Sequence, residues 1–94
     1  MKENDYYIIK MKEWSFSGKK NPGYTAIVQI IHIDWEYKGV KAQILNVLED
    51  KENFLTDDDK EGVPRTYLIE DFQKNSEYYS AEKITPKLYP EYFV

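Results

Sequence analysis

Residues 24–37, YTAIVQIIHIDWEY, carry the clearest pattern of apolar and polar positions in the chain. On the odd phase stand Thr25, Ile27, Ile31, Ile33, Trp35 and Tyr37. On the even phase stand Ala26, Val28 and Ile30, and then His32, Asp34 and Glu36. The first half is therefore apolar on both phases and the second half on one. That predicts one long β-strand, covered on both faces at first and on a single face later. The β-branched run of Ile27, Val28, Ile30, Ile31 and Ile33 argues against helix. At about 3.3 Å per residue the strand would reach roughly 45 Å, so it must bend or bulge in a chain this small. In this reading Ile33, Trp35 and Tyr37 turn inward and His32, Asp34 and Glu36 face water.

Weaker patterns flank it. Residues 6–16, YYIIKMKEWSF, are rich in β-formers and read as one strand. Residues 17–23, SGKKNPG, read as a loop. Lys38–Gly39 is a turn signal. Residues 40–50 fit either period: Val40, Ala42, Ile44 and Leu48 alternate, whereas Val40, Ile44, Val47 and Leu48 suit a helix face. A hairpin through the turn needs no further loop, which favours the strand. Residues 49–63 form an acidic loop, and residues 65–72 resume alternation through Thr66, Leu68 and Phe72 against Tyr67 and Ile69. Residues 73–83 are polar and suit a turn or short helix. The two prolines in residues 84–94 indicate an extended tail or edge strand, with the terminal EYFV packed on its own domain. The expectation is a mainly β chain of one domain, residues 1–94. Its core is a small antiparallel barrel or a strongly bent sheet of four to five strands, with at most one short helix.

Composition narrows the chemistry. The 94 residues contain no cysteine, which removes disulfides, thiolate nucleophiles and cysteine zinc sites. No apolar run reaches membrane-span length, and the charged N-terminus lacks the apolar stretch of a secretory signal, so a cytoplasmic protein is expected. The net charge is −4. It is concentrated in residues 49–61, where seven acids face two lysines; residues 1–20 instead hold five lysines against three acids. A chain acidic overall has no general attraction to nucleic acid. Arg65 is the single arginine against twelve lysines. With many Ile, Asn and Tyr, that bias suggests an AT-rich bacterial genome, or a phage or mobile element within one. Nine Tyr, four Phe and two Trp are enough to build much of a core, or to anchor a partner.

Few residues form a chemical constellation. His32, Asp34 and Glu36 share a strand phase, and an imidazole with two carboxylates can bind a transition metal. They need a further ligand that nothing marks, so they read as a solvated face and no cofactor is expected. Asp57, Asp59, Glu61 and Gly62 fall at positions one, three, five and six of a calcium loop, but Pro64 and Leu68 then occupy positions eight and twelve. The segment with Asp57, Asp58 and Asp59 reads instead as an exposed acidic loop able to face a basic partner. Ser15, Ser17, Ser76 and Ser80 are scattered, and the four glycines form no phosphate loop, so no enzyme is expected.

Two segments resemble the SH3 family: WEYKG at residues 35–39 is similar to its Trp-bearing strand, and GVPRTYL at residues 62–68 to its closing segment. The resemblance covers twelve residues and treats residues 49–61 as an inserted loop. It implies a small barrel in which Trp35, Pro64 and Tyr67 would line a groove for a preformed polyproline segment. Together these observations point to a small non-enzymatic module that binds another protein. Trp35, Tyr37, Pro64, Tyr67 and Asp57–Asp59 are its candidate contacts, and a bacterial host protein regulated or inhibited by a phage or mobile-element product is the expected kind of partner. The alternatives are stacking of single-stranded nucleic acid near Trp14 and Phe16, beside Lys10, Lys12, Lys19 and Lys20, and a metal-dependent enzyme built on His32.

Overall fold

The computed structural model describes residues 1–73 and 76–93. Seven strands and two short helices follow the order β1 (Tyr6–Met11), β2 (Trp14–Phe16), β3 (Lys19–Asn21), β4 (Thr25–Asp34), β5 (Gly39–Glu49), α1 (Asp57–Lys60), β6 (Arg65–Leu68), α2 (Ile69–Gln73) and β7 (Tyr79–Ile84). Five of them form one antiparallel sheet in the order β6-β5-β4-β1-β7, and β2 pairs β3 in a separate ribbon. The architecture is mainly β, and the sheet is bent rather than closed.

The long central strand carries the predicted irregularity. Ile30 pairs Ala42 and His32 pairs Lys41, so Ile31 is an extra residue, one β-bulge in the ladder. The bulge switches the buried phase. Ala26, Val28 and Ile30 face the core before it, and Ile33 faces the core after it, while Ile31 is exposed. Further register shifts at Thr25/Ala26 and Ile27/Val28 bend the other end of the β4–β5 pair. Residues 40–50 fold as strand, with Val40, Ala42 and Ile44 buried.

Several expectations need correction. The segment 6–16 is not one strand: it breaks after Met11, and its last three residues leave the main sheet. The loop expected at 17–23 is largely a hairpin. Ser17 and Gly18 take φ of 51° and 78°, the mirror-image turn that matches strand twist, and Lys19–Asn21 return as β3. The strand expected to reach Tyr37 stops at Asp34, and Trp35–Lys38 form the turn. The acidic loop contains α1, capped by Thr56, whose hydroxyl accepts the N–H of Asp59 while the Asp59 carboxylate accepts the N–H of Thr56. The strand expected at 65–72 ends at Leu68, because Ile69 and Phe72, three apart, bury as one face of a helical turn. Within 73–83, Tyr79 onward is the edge strand β7; positions 74 and 75 lie outside the described residues. In the tail, Pro90–Tyr92 make a 3-10 turn, and the Phe93 ring meets Tyr6 edge-on at 4.7 Å.

The core lies on the concave side. Tyr7 and Ile9 from β1, the inward residues of β4 and β5, Tyr67, Ile69, Phe72 and Leu55 form one cluster with Tyr24. Strands β6 and β7 sit at opposite edges of the sheet, yet the Tyr67 and Tyr79 rings are 5.4 Å apart, edge to face. The sheet therefore curls until its edges meet through side chains, with Tyr24 closing the gap: its hydroxyl lies 2.7 Å from that of Tyr67. The abundant tyrosines thus replace a sixth strand.

Candidate functional site

The turn between β4 and β5 is built by Asp34. Its Oδ1 accepts the N–H groups of Glu36 and Tyr37, each at 3.1 Å, and Lys38 takes φ of 57° before Gly39 pairs back to Asp34. This local hydrogen bonding ends the alternation and turns the next aromatic rings away from the core. Trp35 is 58% exposed and Tyr37 79% exposed. The inward placement expected for both is therefore wrong, whereas Ile33 is buried and His32 exposed as expected.

The second wall comes from the β6–α2 junction. The N–H of Ile69 donates to the Lys38 carbonyl at 2.9 Å, which holds the start of α2 against the turn. Helical geometry sends Ile69 into the core and leaves its neighbour Leu68 49% exposed. Between the walls lies a cleft of about 530 Å³ lined by Trp35, Tyr37, Lys38, Leu68, Ile69, Glu70 and Gln73. It combines exposed apolar side chains with one cationic, one anionic and one amide group, the make-up of an anchoring site for a side chain of another molecule.

The remaining candidates fall elsewhere. Tyr67 is buried at 3% exposure, so its ring is unavailable as a surface shelf, and Pro64 is exposed but does not line the cleft. Asp57 and Asp58 are exposed on α1. Asp59 is not: it is buried, and its Oδ2 receives Nη1 of Arg65 at 2.6 Å. Burial alone would raise the Asp59 pKa, but the two Thr56 hydrogen bonds and the Arg65 charge hold it below the usual carboxylate value. The guanidinium lies 5.5 Å from the centre of the Phe54 ring and 5.8 Å from that of Tyr24, which stacks on Phe54. Asp59 and Arg65 thus serve the fold, closing the acidic loop onto the aromatic core.

His32 stands on the convex face with Nδ1 3.2 Å from a Glu3 carboxylate oxygen, both exposed, and Asp34 is committed to its turn. Among the described residues no group of three His, Cys, Asp or Glu is arranged to hold a metal ion. No described helix is long and apolar enough to cross a membrane. Leu68, Lys38, Glu70 and Gln73 are cleft residues that the sequence pattern did not single out; the i, i+3 spacing of Ile69 and Phe72 was the available signal for the helix that carries two of them, Glu70 and Gln73. Comparison with family models, with curated proteins and with solved structures finds no match.

Proposed function

We propose that the chain is a small non-enzymatic module that binds another protein through the Trp35–Tyr37–Leu68 cleft. It would act by occupying the partner's surface, as a regulator or inhibitor of a bacterial host protein would. The observation that carries this reading is the pair of rings held out to solvent beside a concavity, in a chain that buries Tyr7, Tyr24, Tyr67 and Phe72. Large aromatic side chains that fill pockets dominate protein interfaces, and one such anchor typically accounts for at least about 2 kcal/mol of binding. The turn geometry pre-sets their backbone, which lowers the ordering cost on association.

The test is affinity capture from a bacterial lysate with two baits, the unchanged chain and a Trp35→Ala/Tyr37→Ala double variant of equal stability. A protein held by the first at micromolar concentration should be lost by the second, and its purified form should bind the variant at least about 30-fold more weakly. Identical retention by both baits, or no retention by either, overturns the reading.

A further inference from the structure

A second surface differs from the cleft in both place and charge. The β2–β3 hairpin lies outside the five-stranded sheet, and every residue of its strands is exposed except the half-buried Asn21. Trp14 pairs Asn21 and Phe16 pairs Lys19, so Trp14, Phe16, Lys19 and Asn21 share one face of the ribbon. Phe16 is 74% exposed at the tip. A shallow dent of about 260 Å³ is lined by Trp14, Phe16, Lys19, Lys20, Asn21 and Glu52. Residues 10–21 hold Lys10, Lys12, Lys19 and Lys20 against Glu13 alone, a local charge of +3 in a chain whose net charge is −4. Lys12 is turned inward to the Ser76 carbonyl, which leaves the other three ammonium groups on the surface. The Glu13–Lys20 pair is 4.0 Å apart and exposed, a geometry that binds little and opens easily.

From this arrangement we infer that the hairpin is a docking platform for single-stranded nucleic acid. Two rings at alternate positions of one strand offer successive stacking faces to unpaired bases, and the ammonium groups of Lys19 and Lys20 beside them meet the phosphates. A duplex hides its base faces and would leave both rings unused. An acidic polypeptide would satisfy the lysines but offers no flat faces to the rings. Glu52, from the acidic segment at residues 49–61, shares the rim of the dent and repels phosphate, which directs the backbone to the Lys19 and Lys20 side of the rings.

The test uses the full chain carrying Trp35→Phe, so that Trp14 is the sole tryptophan. It is titrated with an oligothymidylate of about a dozen nucleotides, which matches the span of small single-strand sites. Further titrations use an abasic deoxyribose-phosphate oligomer of equal length, polyglutamate, and vesicles of anionic phospholipid. Oligothymidylate should quench Trp14, with a log–log salt slope of about −1 to −1.5, as expected for two lysine–phosphate contacts on a single strand. Phe16→Ala should weaken binding of a labelled oligomer by about 5-fold to 100-fold, and Lys19→Gln by a smaller, salt-dependent factor. The abasic oligomer should bind at least about 10-fold more weakly than oligothymidylate. Absence of quenching at low salt overturns the inference. So does equal binding of the abasic oligomer, of polyglutamate or of vesicles, each of which would assign the hairpin to charge or lipid contact alone. Both variants alter exposed side chains outside the core, and unchanged far-ultraviolet dichroism verifies their fold.

Discussion

Asp71 accepts a hydrogen bond from the Ser76 hydroxyl at 2.7 Å, and this contact ties together the two edges of the bent sheet. On the β6 side, Ile69 donates its N–H back to the Lys38 carbonyl, so the N–H of Leu68 points away from β5; Asp71 Oδ2 accepts it at 2.9 Å. On the β7 side, the Tyr78 carbonyl accepts Lys12, so the N–H of Tyr79 points away from β1; Ser76 Oγ accepts it at 3.0 Å. A carboxylate and a hydroxyl thereby occupy edge positions that would otherwise be open to another strand. The Tyr67 and Tyr79 rings, 5.4 Å apart, bridge the same two edges, and Tyr24 meets Tyr79 at 6.3 Å.

Truncating this link should weaken the closure. Asp71 is 4% exposed, and Asp71→Ala leaves the Leu68 N–H and the Ser76 hydroxyl without their acceptor. The expected loss is about 1–3 kcal/mol in urea unfolding, with a smaller loss of about 1 kcal/mol for Ser76→Ala. The double variant should lose less than the sum of the two, because both single changes break the same hydrogen bond. Full additivity would show that the edges are held independently.

Acid should act through Asp59. Its pKa lies below the ordinary 3.8 in the folded chain, so folding binds fewer protons than unfolding near that pH. The stabilisation is therefore complete above about pH 4 and is lost as the pH falls from there through the depressed folded value. Asp59→Asn should be less stable than the parent at pH 7 and show a shallower decline of stability below pH 4, read from urea midpoints across pH. A parallel decline in both proteins would remove Asp59 as a source of acid sensitivity.

Much of this fold was legible in the chain, and the failures around the cleft and the acidic segment share a cause. The strand nature of residues 25–34 and 39–49 followed from β-branched runs whose burial dominates their local preference. What misled was the assumption that alternation continues where a side chain captures the backbone. Asp34 ends β4 by accepting two turn N–H groups, which puts Trp35 and Tyr37 outside although they keep the phase of Ile33. Asp71 does the same at the β6–α2 junction, and Thr56 with Asp59 makes a helical turn within an acidic run. The cleft is assembled by two of these interruptions, from segments about thirty residues apart in sequence, so no local pattern could announce it.

Gly23 tests a close approach of backbone to backbone. It has φ of 75°, and a Cβ there would sit 2.1 Å from the Met11 carbonyl oxygen, in the strand partner whose N–H bonds the Tyr24 carbonyl. Neither the conformation nor the contact suits a side chain. Gly23→Ala should cost at least about 2 kcal/mol, since strain of about 1–3 kcal/mol adds to displacement of β1 from Tyr24. Gly18, at φ of 78° with open space around its Cβ position, supplies the control: Gly18→Asn should cost less than about 1 kcal/mol because asparagine tolerates the left-handed region. Equal costs at the two positions would show that the approach to Met11 is unimportant.

The bulge at Ile31 makes the most specific claim about the central strand. Removing one residue from such a strand ordinarily sends every following side chain to the wrong face. Here the extra residue is what breaks the alternation. With Ile31 deleted, Ile30, His32 and Ile33 become consecutive in, out and in, opposite Ala42, Lys41 and Val40 as they already stand. The register of β4 with β1 ends at Gln29, so that side of the ladder is untouched, apart from the hydrogen bond of Asn4 N–H to the Ile30 carbonyl. The chain lacking Ile31 should therefore unfold cooperatively with a loss of no more than about 2 kcal/mol, the cost of some twist and of one half-exposed side chain. Deletion of Val28 is the contrasting case: absorbing its gap at the bulge would shift Gln29 into the fully buried place opposite Ile44 that Val28 fills, with Tyr7 on the other side. An amide would then stand in the core in place of an isopropyl group, and the loss should be at least about 3 kcal/mol. If the two deletions behave alike in urea denaturation followed by far-ultraviolet dichroism, the buried phase is not governed by the bulge.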